Sequence, residues 1–395
     1  MSRLPSEKEI QNRLERFQAL LTAHDVDGAL MVHKVDLYYL AGTDQDAHLW
    51  IPALGAPFLM VRKSLVRAKE DSPLEKIVPL TGFSHLPGLI REQGGKLPKR
   101  LGLEMDILPA RLYLTYEELF PGTDFVDISP LIRSLRMVKS DYEVGCITRA
   151  AAMADRMYGR VSYFLKEVDT EIELASRVEG FYRSQGHPGF VRTRTFNMEC
   201  LYGQIMSGKS GAAPSNSPGP TGGKGPGPFC SQGAGRGKIG SHEPIFVDHA
   251  GNVEGYIADQ ARIFSIGKLS EEFHNAHGVM VEIQDTLAQK GRPGMKTGDL
   301  YDLALDMAAR AGLEEGFLGY PDPVPFVGHG VGLEIDEWPV IGRNNDTILE
   351  KGMVLALEPK VVFPGLGIVG VENTFVVTEK GMKKLNKFPD EIFEC

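Results

Sequence analysis

Two aspartates in a β-rich segment, residues 245–267, have a spacing suited to metal binding. Asp248 and Asp259 are 11 residues apart, and a hairpin centred between Val253 and Glu254 would place them opposite each other. The interior of a strand disfavours aspartate, and two buried carboxylates repel each other unless a cation compensates their charge. The pair therefore predicts a cation site.

Two glutamates repeat this arrangement in residues 353–381. The midpoint of Glu358 and Glu372 is Gly365, which belongs to a Pro-Gly dipeptide typical of a tight turn. The residues around them are apolar enough for a buried sheet. Two hairpins that each carry two carboxylates at matching places are hard to explain by surface solvation, and four buried carboxylates need cations between them.

His329 adds a nitrogen ligand, because it lies in the glycine-rich run 328–332, where the backbone can approach a bound group closely. Two divalent ions would neutralise four carboxylates, lower the pKa of a shared water and polarise a carbonyl group. Oxygen ligands with one imidazole favour Mn²⁺ first, with Fe²⁺, Co²⁺ or Zn²⁺ as alternatives. Each residue taken alone also has an explanation that involves no metal. An aspartate in a strand is usually a turn or edge residue, and Glu358 could be exposed to solvent. His329 could be a structural histidine with its hydrogen bonds satisfied.

The elements that must position these residues divide the chain of 395 residues into two predicted domains. Residues 1–135 begin with a helix capped by Ser6 and Glu9 and continue with short apolar runs between helical segments, which indicates a smaller α/β domain. Residues 136–142 are a predicted linker, and residues 143–395 form the domain that carries the candidate ligands.

In this second domain, helices are predicted over residues 144–165, from the Thr170/Glu173 capping box onward, and in two pieces within residues 271–313. The chain between them is strand-rich. The fold class is therefore α+β.

Residues 207–240 are rich in glycine and proline. The start of this stretch overlaps residues 203–210, which match the phosphate-binding loop pattern letter for letter. That loop works only where a helix starts directly after it, and Pro214 and Pro220 prevent such a helix. We therefore expect no nucleotide site there.

Composition excludes several classes of protein. The net charge is −9, and the absence of a long Lys/Arg run makes nucleic acid an unexpected partner. The N-terminus lacks the apolar core of a signal peptide, and no apolar stretch approaches the roughly 20 residues that span a bilayer. The four cysteines are scattered, which fits neither a disulfide framework nor a thiolate zinc site. We expect a cytoplasmic protein without membrane contact.

With these candidate ligands, the sequence resembles the pita-bread metallopeptidases, which include aminopeptidase P, prolidase, methionine aminopeptidase and creatinase. Members carry two aspartates 11 residues apart, then Gly-His-Gly-x-Gly, then Glu-Pro and a last glutamate. This chain matches each motif in order. The run at residues 135–140 and the triplet at residues 102–104 are similar to the creatinase/prolidase branch. The matching positions are Asp248, Asp259, His329, Glu358 with Pro359, and Glu372.

The resemblance implies a curved pita-bread sheet covered by helices, preceded by a creatinase-type N-terminal domain that often reaches a neighbouring subunit's site. A homodimer is therefore expected. It also implies two metal ions whose bridging hydroxide attacks a scissile carbonyl, with Glu358 exchanging the proton and His329 at the metal. The substrate would be a short peptide with proline in the second position, contacted by Tyr256, Trp338 and Asp336.

The chain also departs from the peptidases of this group. Asp336 stands where the family has a histidine, seven residues after the metal histidine. Pro325 stands where many members have a second histidine, four residues before the metal histidine. A third histidine normally follows the segment that corresponds to residues 207–212, but here that segment continues into the Gly/Pro stretch. In the family, these histidines bind the substrate carbonyl or the tetrahedral intermediate. Loss of such a donor can reduce the rate by about 10²–10³.

Three functional hypotheses stay open on the sequence. The first is an Xaa-Pro aminopeptidase or dipeptidase that cleaves a C–N bond. The second is a non-peptidase relative, an amide or amidine hydrolase or a lyase, in which Asp336 acts as an acid or base. The third is a binding protein that has lost turnover, against which the retained ligands argue.

Overall fold

The structure, a computed structural model, describes residues 5–94, 96–217 and 219–395. The chain folds as two compact units, with the boundary between Arg136 and Met137. Within the described residues, no helix is long and apolar enough to cross a bilayer.

The N-terminal unit is built on a six-stranded mixed sheet with the strand order β4-β3-β2-β1-β5-β6. The Ser6 side chain caps the first helix by accepting from the Glu9 amide. Buried apolar residues fill the space between sheet and helices. The elements are α1 (Glu7–Ala23), β1 (Gly28–Met31), α2 (Lys34–Ala41), β2 (Ala47–Pro52), β3 (Phe58–Val61), α3 (Leu65–Asp71), β4 (Ile77–Pro79), a 3-10 turn (Phe83–His85), α4 (Leu86–Gly94), β5 (Arg100–Leu103), α5 (Ala110–Leu119), β6 (Asp124–Asp127) and α6 (Ser129–Met137).

The C-terminal unit begins with two long helices whose capping boxes are both formed, at Ser140/Glu143 and at Thr170/Glu173. Its helices are α7 (Asp141–Phe164), α8 (Glu171–Ser184), α9 (Glu271–Lys290) and α10 (Thr297–Arg310). The predicted helices, including the break between α9 and α10, are confirmed. Helix α6 extends to Met137, so the predicted linker begins inside a helix.

The strands of this unit form a four-stranded sheet of order β19-β11-β8-β7, a five-stranded sheet of order β13-β12-β14-β17-β18, and two hairpin ribbons. Antiparallel pairing dominates, as expected for an α+β fold. The strands are β7 (Gly203–Ser207), β8 (Ile245–His249), β9 (Gly251–Val253), β10 (Tyr256–Ala258), β11 (Ala261–Ser265), β12 (Phe326–Gly330), β13 (Glu337–Gly342), β14 (Val354–Leu357), β15 (Lys360–Phe363), β16 (Gly367–Gly370), β17 (Asn373–Thr378), β18 (Gly381–Lys384) and β19 (Phe393–Glu394).

The two candidate hairpins differ in how well their registers were predicted. In the glutamate hairpin, Lys360 pairs with Gly370, so the centre is Gly365, as predicted. In the aspartate hairpin, Asp248 pairs with Ala261 rather than lying opposite Asp259. The predicted centre was therefore wrong by one residue.

The turn of the aspartate hairpin explains this correction. Glu254 and Gly255 have φ values of 55° and 83°, the pair of positive φ values that favours a two-residue hairpin turn. Glycine adopts such a conformation without steric cost. The two-residue turn therefore forms at Glu254 and Gly255, and the hairpin is centred on the bond between them.

The match to the phosphate-loop pattern, residues 203–210, ends in a three-residue 3-10 turn, Gly208–Ser210, and no α-helix begins directly after it. The helix N-terminus that a phosphate loop requires is therefore missing from the described residues here. The prediction that no helix starts directly after this match is confirmed.

Candidate metal centre

The candidate ligands lie where strands of the two hairpins and the five-stranded sheet end. Asp248 is in β8, Asp259 follows β10, Glu358 follows β14, and Glu372 lies between β16 and β17. A bridge joins the two hairpins, because Ala261 and Glu372 exchange backbone hydrogen bonds of 3.2 and 3.3 Å. The sheet pairing therefore brings carboxylates from distant parts of the chain to one place.

The ring of His329 is oriented for a metal. Its Nδ1 lies 3.1 Å from the carbonyl oxygen of Gly330, and since a carbonyl only accepts, Nδ1 must carry the proton. That leaves Nε2 as the free acceptor, the arrangement seen in metal-bound histidines. Nε2 is 3.5 Å from Oε1 of Glu358 and 3.9 Å from Oε1 of Glu372.

The residues fit a divalent ion. One ligand atom each from Asp259, His329 and Glu372 lies within 4.8 Å of the others, and Glu358 borders the same space. Three oxygen ligands and one imidazole suit a first-row transition metal. The fifth candidate, Asp248, has one carboxylate oxygen 3.1 Å from the ammonium of Lys360.

The carboxylates are held in an environment that disfavours their charge. Burial first, and then the negative charge of Asp248, raise the pKa of Asp259 to about 7. Burial also raises the pKa of Asp248, and burial with Asp259 raises the pKa of Glu372 well above its ordinary value. A bound cation would relieve this excess of negative charge.

Sequence reasoning missed Lys360. Its ammonium lies 2.7 Å from Glu372, 2.8 Å from Glu358 and 3.1 Å from Asp248. Burial alone would lower its pKa, but Asp248, Glu358 and Glu372 together raise it well above its usual value. The signal was available, because Lys360 stands two positions after Glu358 in the otherwise apolar run of residues 353–363, where a charged residue needs a partner if it is buried.

A cavity of about 240 Å³ opens over the candidate ligands. All five of them, the four carboxylates and the imidazole, line it, and the rest of its wall is largely apolar. A concave apolar site with a few convergent polar groups is the usual form of a small-molecule site. The apolar lining includes Met198, Leu201, Tyr202, Phe326, Ile335 and Val340.

Asp336 also lines the cavity, but its carboxylate is occupied. It accepts hydrogen bonds from the hydroxyl groups of Thr193 and Thr195, at 2.9 and 2.6 Å. It also accepts from the backbone amides of Arg194 and Thr195, at 2.9 and 3.1 Å. These contacts give Asp336 an anchoring role that competes with the predicted acid–base role.

The two aromatic residues expected to contact substrate lie elsewhere. Tyr256 is buried, and its hydroxyl is 3.1 Å from Oε1 of Glu143 in α7. Neither Tyr256 nor Trp338 is among the residues that line the cavity in the described part of the chain. The structure therefore gives no support for direct substrate contact by these two side chains.

Comparison with known protein families gives two matches along the chain. The model of metallopeptidase family M24 matches residues 145–379, and the creatinase/prolidase N-terminal domain matches residues 13–138. The two matches together cover most of the sequence.

Individual relatives match over nearly their whole length. The chain is 25% identical to the Xaa-Pro dipeptidase of Pyrococcus furiosus, over 97% of this chain and 100% of that protein. Among solved structures, dipeptidase PepE from Mycobacterium ulcerans is 26% identical, with a TM-score of 0.79 and 98% of each chain covered. An Xaa-Pro dipeptidase from Bacillus anthracis, 24% identical, has the same fold with a TM-score of 0.82, over 98% of this chain and 100% of that one.

Proposed function

Since the chain belongs to metallopeptidase family M24, we propose that it hydrolyses the bond before proline in short peptides with a free amino terminus. The chain is a metallohydrolase, and the predicted pita-bread fold and dinuclear-hydrolase interpretation fit the family. The peptide specificity is our proposal, supported by relatives named Xaa-Pro dipeptidase.

The convergence of the candidate ligands supports this proposal most directly. Ligand atoms of Asp259, His329 and Glu372 lie within 4.8 Å of one another beneath an apolar cavity. A divalent ion bound there would lower the pKa of a water molecule and polarise a carbonyl group. Mn²⁺ is the ion we propose, with Fe²⁺, Co²⁺ and Zn²⁺ as alternatives.

The protein's own residues have distinct tasks in this proposal. Glu358, which is buried and borders the ligand space, would take a proton from the attacking water and return it to the leaving nitrogen. The apolar wall would hold the proline ring and exclude bulk water. Asp336 would keep the segment of Thr193 and Thr195 in place beside the substrate.

The charge of the cavity favours peptides longer than two residues. No lysine or arginine is found among the described residues that line it, whereas Glu199 and Asp336 are acidic. The carboxylate of a dipeptide would lie one residue beyond the scissile bond, where this wall offers it no cationic partner. The same wall also suits a small cationic amidine, which is the second candidate substrate.

A metal-reconstituted screen with a matched pair of variants tests the proposal. We expect His329→Ala to lower metal affinity and kcat/KM by more than about 100-fold, because even residues that only orient metal ligands change affinity 10–100-fold. His274→Ala removes a half-buried histidine of α9 that pairs with Glu394, and it should leave both unchanged. Bound metal is measured by elemental analysis, and activity is measured on Xaa-Pro tripeptides, Xaa-Pro dipeptides and guanidino compounds.

Turnover of tripeptides above dipeptides supports the proposal as stated. Turnover of guanidino or amide compounds alone would instead support the amidine hydrolase, and no turnover with metal bound would support the binding protein. Full metal occupancy in His329→Ala would contradict the site itself.

The assembly and location are also proposals. We propose a cytoplasmic homodimer, because the chain keeps the creatinase-type N-terminal domain that matches residues 13–138. Light scattering at micromolar concentration should give twice the mass of one chain. The mass of a single chain would contradict the dimer.

A further inference from the structure

Lys360 is a buried cation inside a cluster of candidate metal ligands. It is 1% exposed, and its ammonium makes hydrogen bonds of 2.7, 2.8 and 3.1 Å to Glu372, Glu358 and Asp248. A lysine ammonium has three hydrogens to donate. These three carboxylates use all of them.

The hairpin is built to hold the lysine side chain in this position. Lys360 is the first residue of β15 and pairs with Gly370 of β16. A Cβ on Gly370 would lie 2.8 Å from Cγ of Lys360 and 2.5 Å from the carbonyl oxygen of Pro359. The ammonium also lies 5.1 Å from the centre of the Phe246 ring, within reach of a cation–π contact.

The ligand atoms divide into two groups. The Oε2 atoms of Glu358 and Glu372 and an oxygen of Asp248 point to the ammonium. The Oε1 atoms of the same two glutamates point to Nε2 of His329 instead, at 3.5 and 3.9 Å. Each glutamate thus has one oxygen on the lysine side and the other on the histidine side.

We propose that the Lys360 ammonium takes the place of the second divalent ion, so that each chain binds one divalent ion on Asp259, His329, Glu358 and Glu372. This proposal rests on the metal-dependent function above. It changes the predicted number of ions from two to one, because an internal charge replaces the other ion.

A second ion would compete directly with the ammonium. Divalent transition metals bind carboxylate oxygens at about 2.0–2.2 Å, and the ammonium already lies 2.7–3.1 Å from the three oxygens that such an ion would need. A dication at this place would face a like charge at close range and would have to drive a buried side chain out of its hydrogen bonds.

Replacing an ion by lysine has chemical consequences. The ammonium cannot be removed by a chelator, and it offers no open position to a substrate oxygen because its hydrogens are all engaged. Activation of water and polarisation of the substrate then depend on the histidine-side ion alone.

Metal stoichiometry tests the proposal without relying on activity. The full-length protein is stripped with a chelator and titrated with Mn²⁺ in equilibrium dialysis, and the bound ion is examined by electron paramagnetic resonance. We expect one tightly bound Mn²⁺ per chain with the spectrum of an isolated ion. Lys360→Ala should bind two, with the spectrum of a magnetically coupled pair.

Lys383→Ala is the matched control, because Lys383 is exposed on β18 of the same unit and should keep one ion. Should Lys360→Ala not fold, as judged by circular dichroism, Lys360→Gln and the wild-type titration still decide the question. Two ions of similar affinity in the wild type would overturn the inference while leaving the metal-dependent function standing. One ion in both the wild type and the folded Lys360 variants would also overturn it, and no bound ion at all would overturn both proposals.

Discussion

Asp336 accepts four hydrogen bonds from the segment that contains Thr193, Arg194 and Thr195. Three of the four fall on Oδ2, so this oxygen orders both threonine side chains at the cavity wall. A carboxylate that binds its neighbours in this way is well placed to shape the substrate site by holding those neighbours in position.

We expect Asp336→Asn to raise KM for the cleaved peptide about tenfold, since this corresponds to about 1.4 kcal/mol and a hydrogen bond to a charged group contributes a similar amount. The amide of asparagine has one acceptor oxygen, so it cannot satisfy the donors on both sides of the present carboxylate. Steady-state kinetics measures the effect, and elemental analysis should find the metal content unchanged.

Asp306→Asn is the matched control, because it makes the same substitution at an exposed residue of α10 that does not line the cavity. It should leave KM within about twofold, since a surface substitution of this kind usually changes the free energy by no more than about 0.5 kcal/mol. If Asp336→Asn instead abolishes kcat at unchanged KM, Asp336 acts as the acid or base that the sequence suggested, and the anchoring interpretation is wrong.

At the scale of the elements, the predictable features were those determined by local chemistry. The predicted Ser6/Glu9 and Thr170/Glu173 boxes located the starts of α1 and α8, and the Pro-Gly turn located the centre of the glutamate hairpin. The aspartate hairpin was misplaced by one residue, because several turn residues occur between Asp248 and Asp259 and only the backbone shows which of them has positive φ. The order of strands in each sheet could not be derived from local patterns, since long-range pairing determines it.

The five candidate ligands could be identified from their spacing, but the partners of their side chains could not. Lys360 did not stand out in the sequence, because a lysine is usually solvent-exposed. The donors to Asp336 come from residues more than 140 positions away in the chain, so no local signal connects them. Spacing indicates which residues belong to a site, whereas only the packed structure shows how their charges are compensated.

At the scale of the whole molecule, the carboxylate cluster links stability to pH and to metal. The pKa of Asp259 rises from 3.8 to about 7 because of burial and of Asp248. An acid whose pKa is higher in the folded state holds its proton to a higher pH there than in the unfolded chain. The folded state therefore keeps its full stability below about pH 4, where Asp259 is protonated in both states. It loses stability as the pH rises to about 7, because the unfolded chain releases this proton more easily. A difference of one pKa unit between the two states corresponds to about 1.4 kcal/mol of unfolding free energy.

For the metal-free protein, we therefore expect Asp259→Asn to raise Tm relative to the wild type by more at pH 8 than at pH 5, because the wild type loses stability steadily between about pH 4 and pH 7. Asparagine keeps an oxygen for the Gln260 amide, 3.0 Å away, and removes the buried charge. A metal ion present at 100 times its Kd should stabilise the wild type by about 2.7 kcal/mol, and the same addition should have little effect on the variant. Thermal unfolding with and without Mn²⁺ measures both effects, with Asp306→Asn on the exposed side of α10 as the control. If the metal-free wild type and Asp259→Asn have parallel Tm profiles from pH 5 to 8, the buried charge of Asp259 is not what destabilises the empty site.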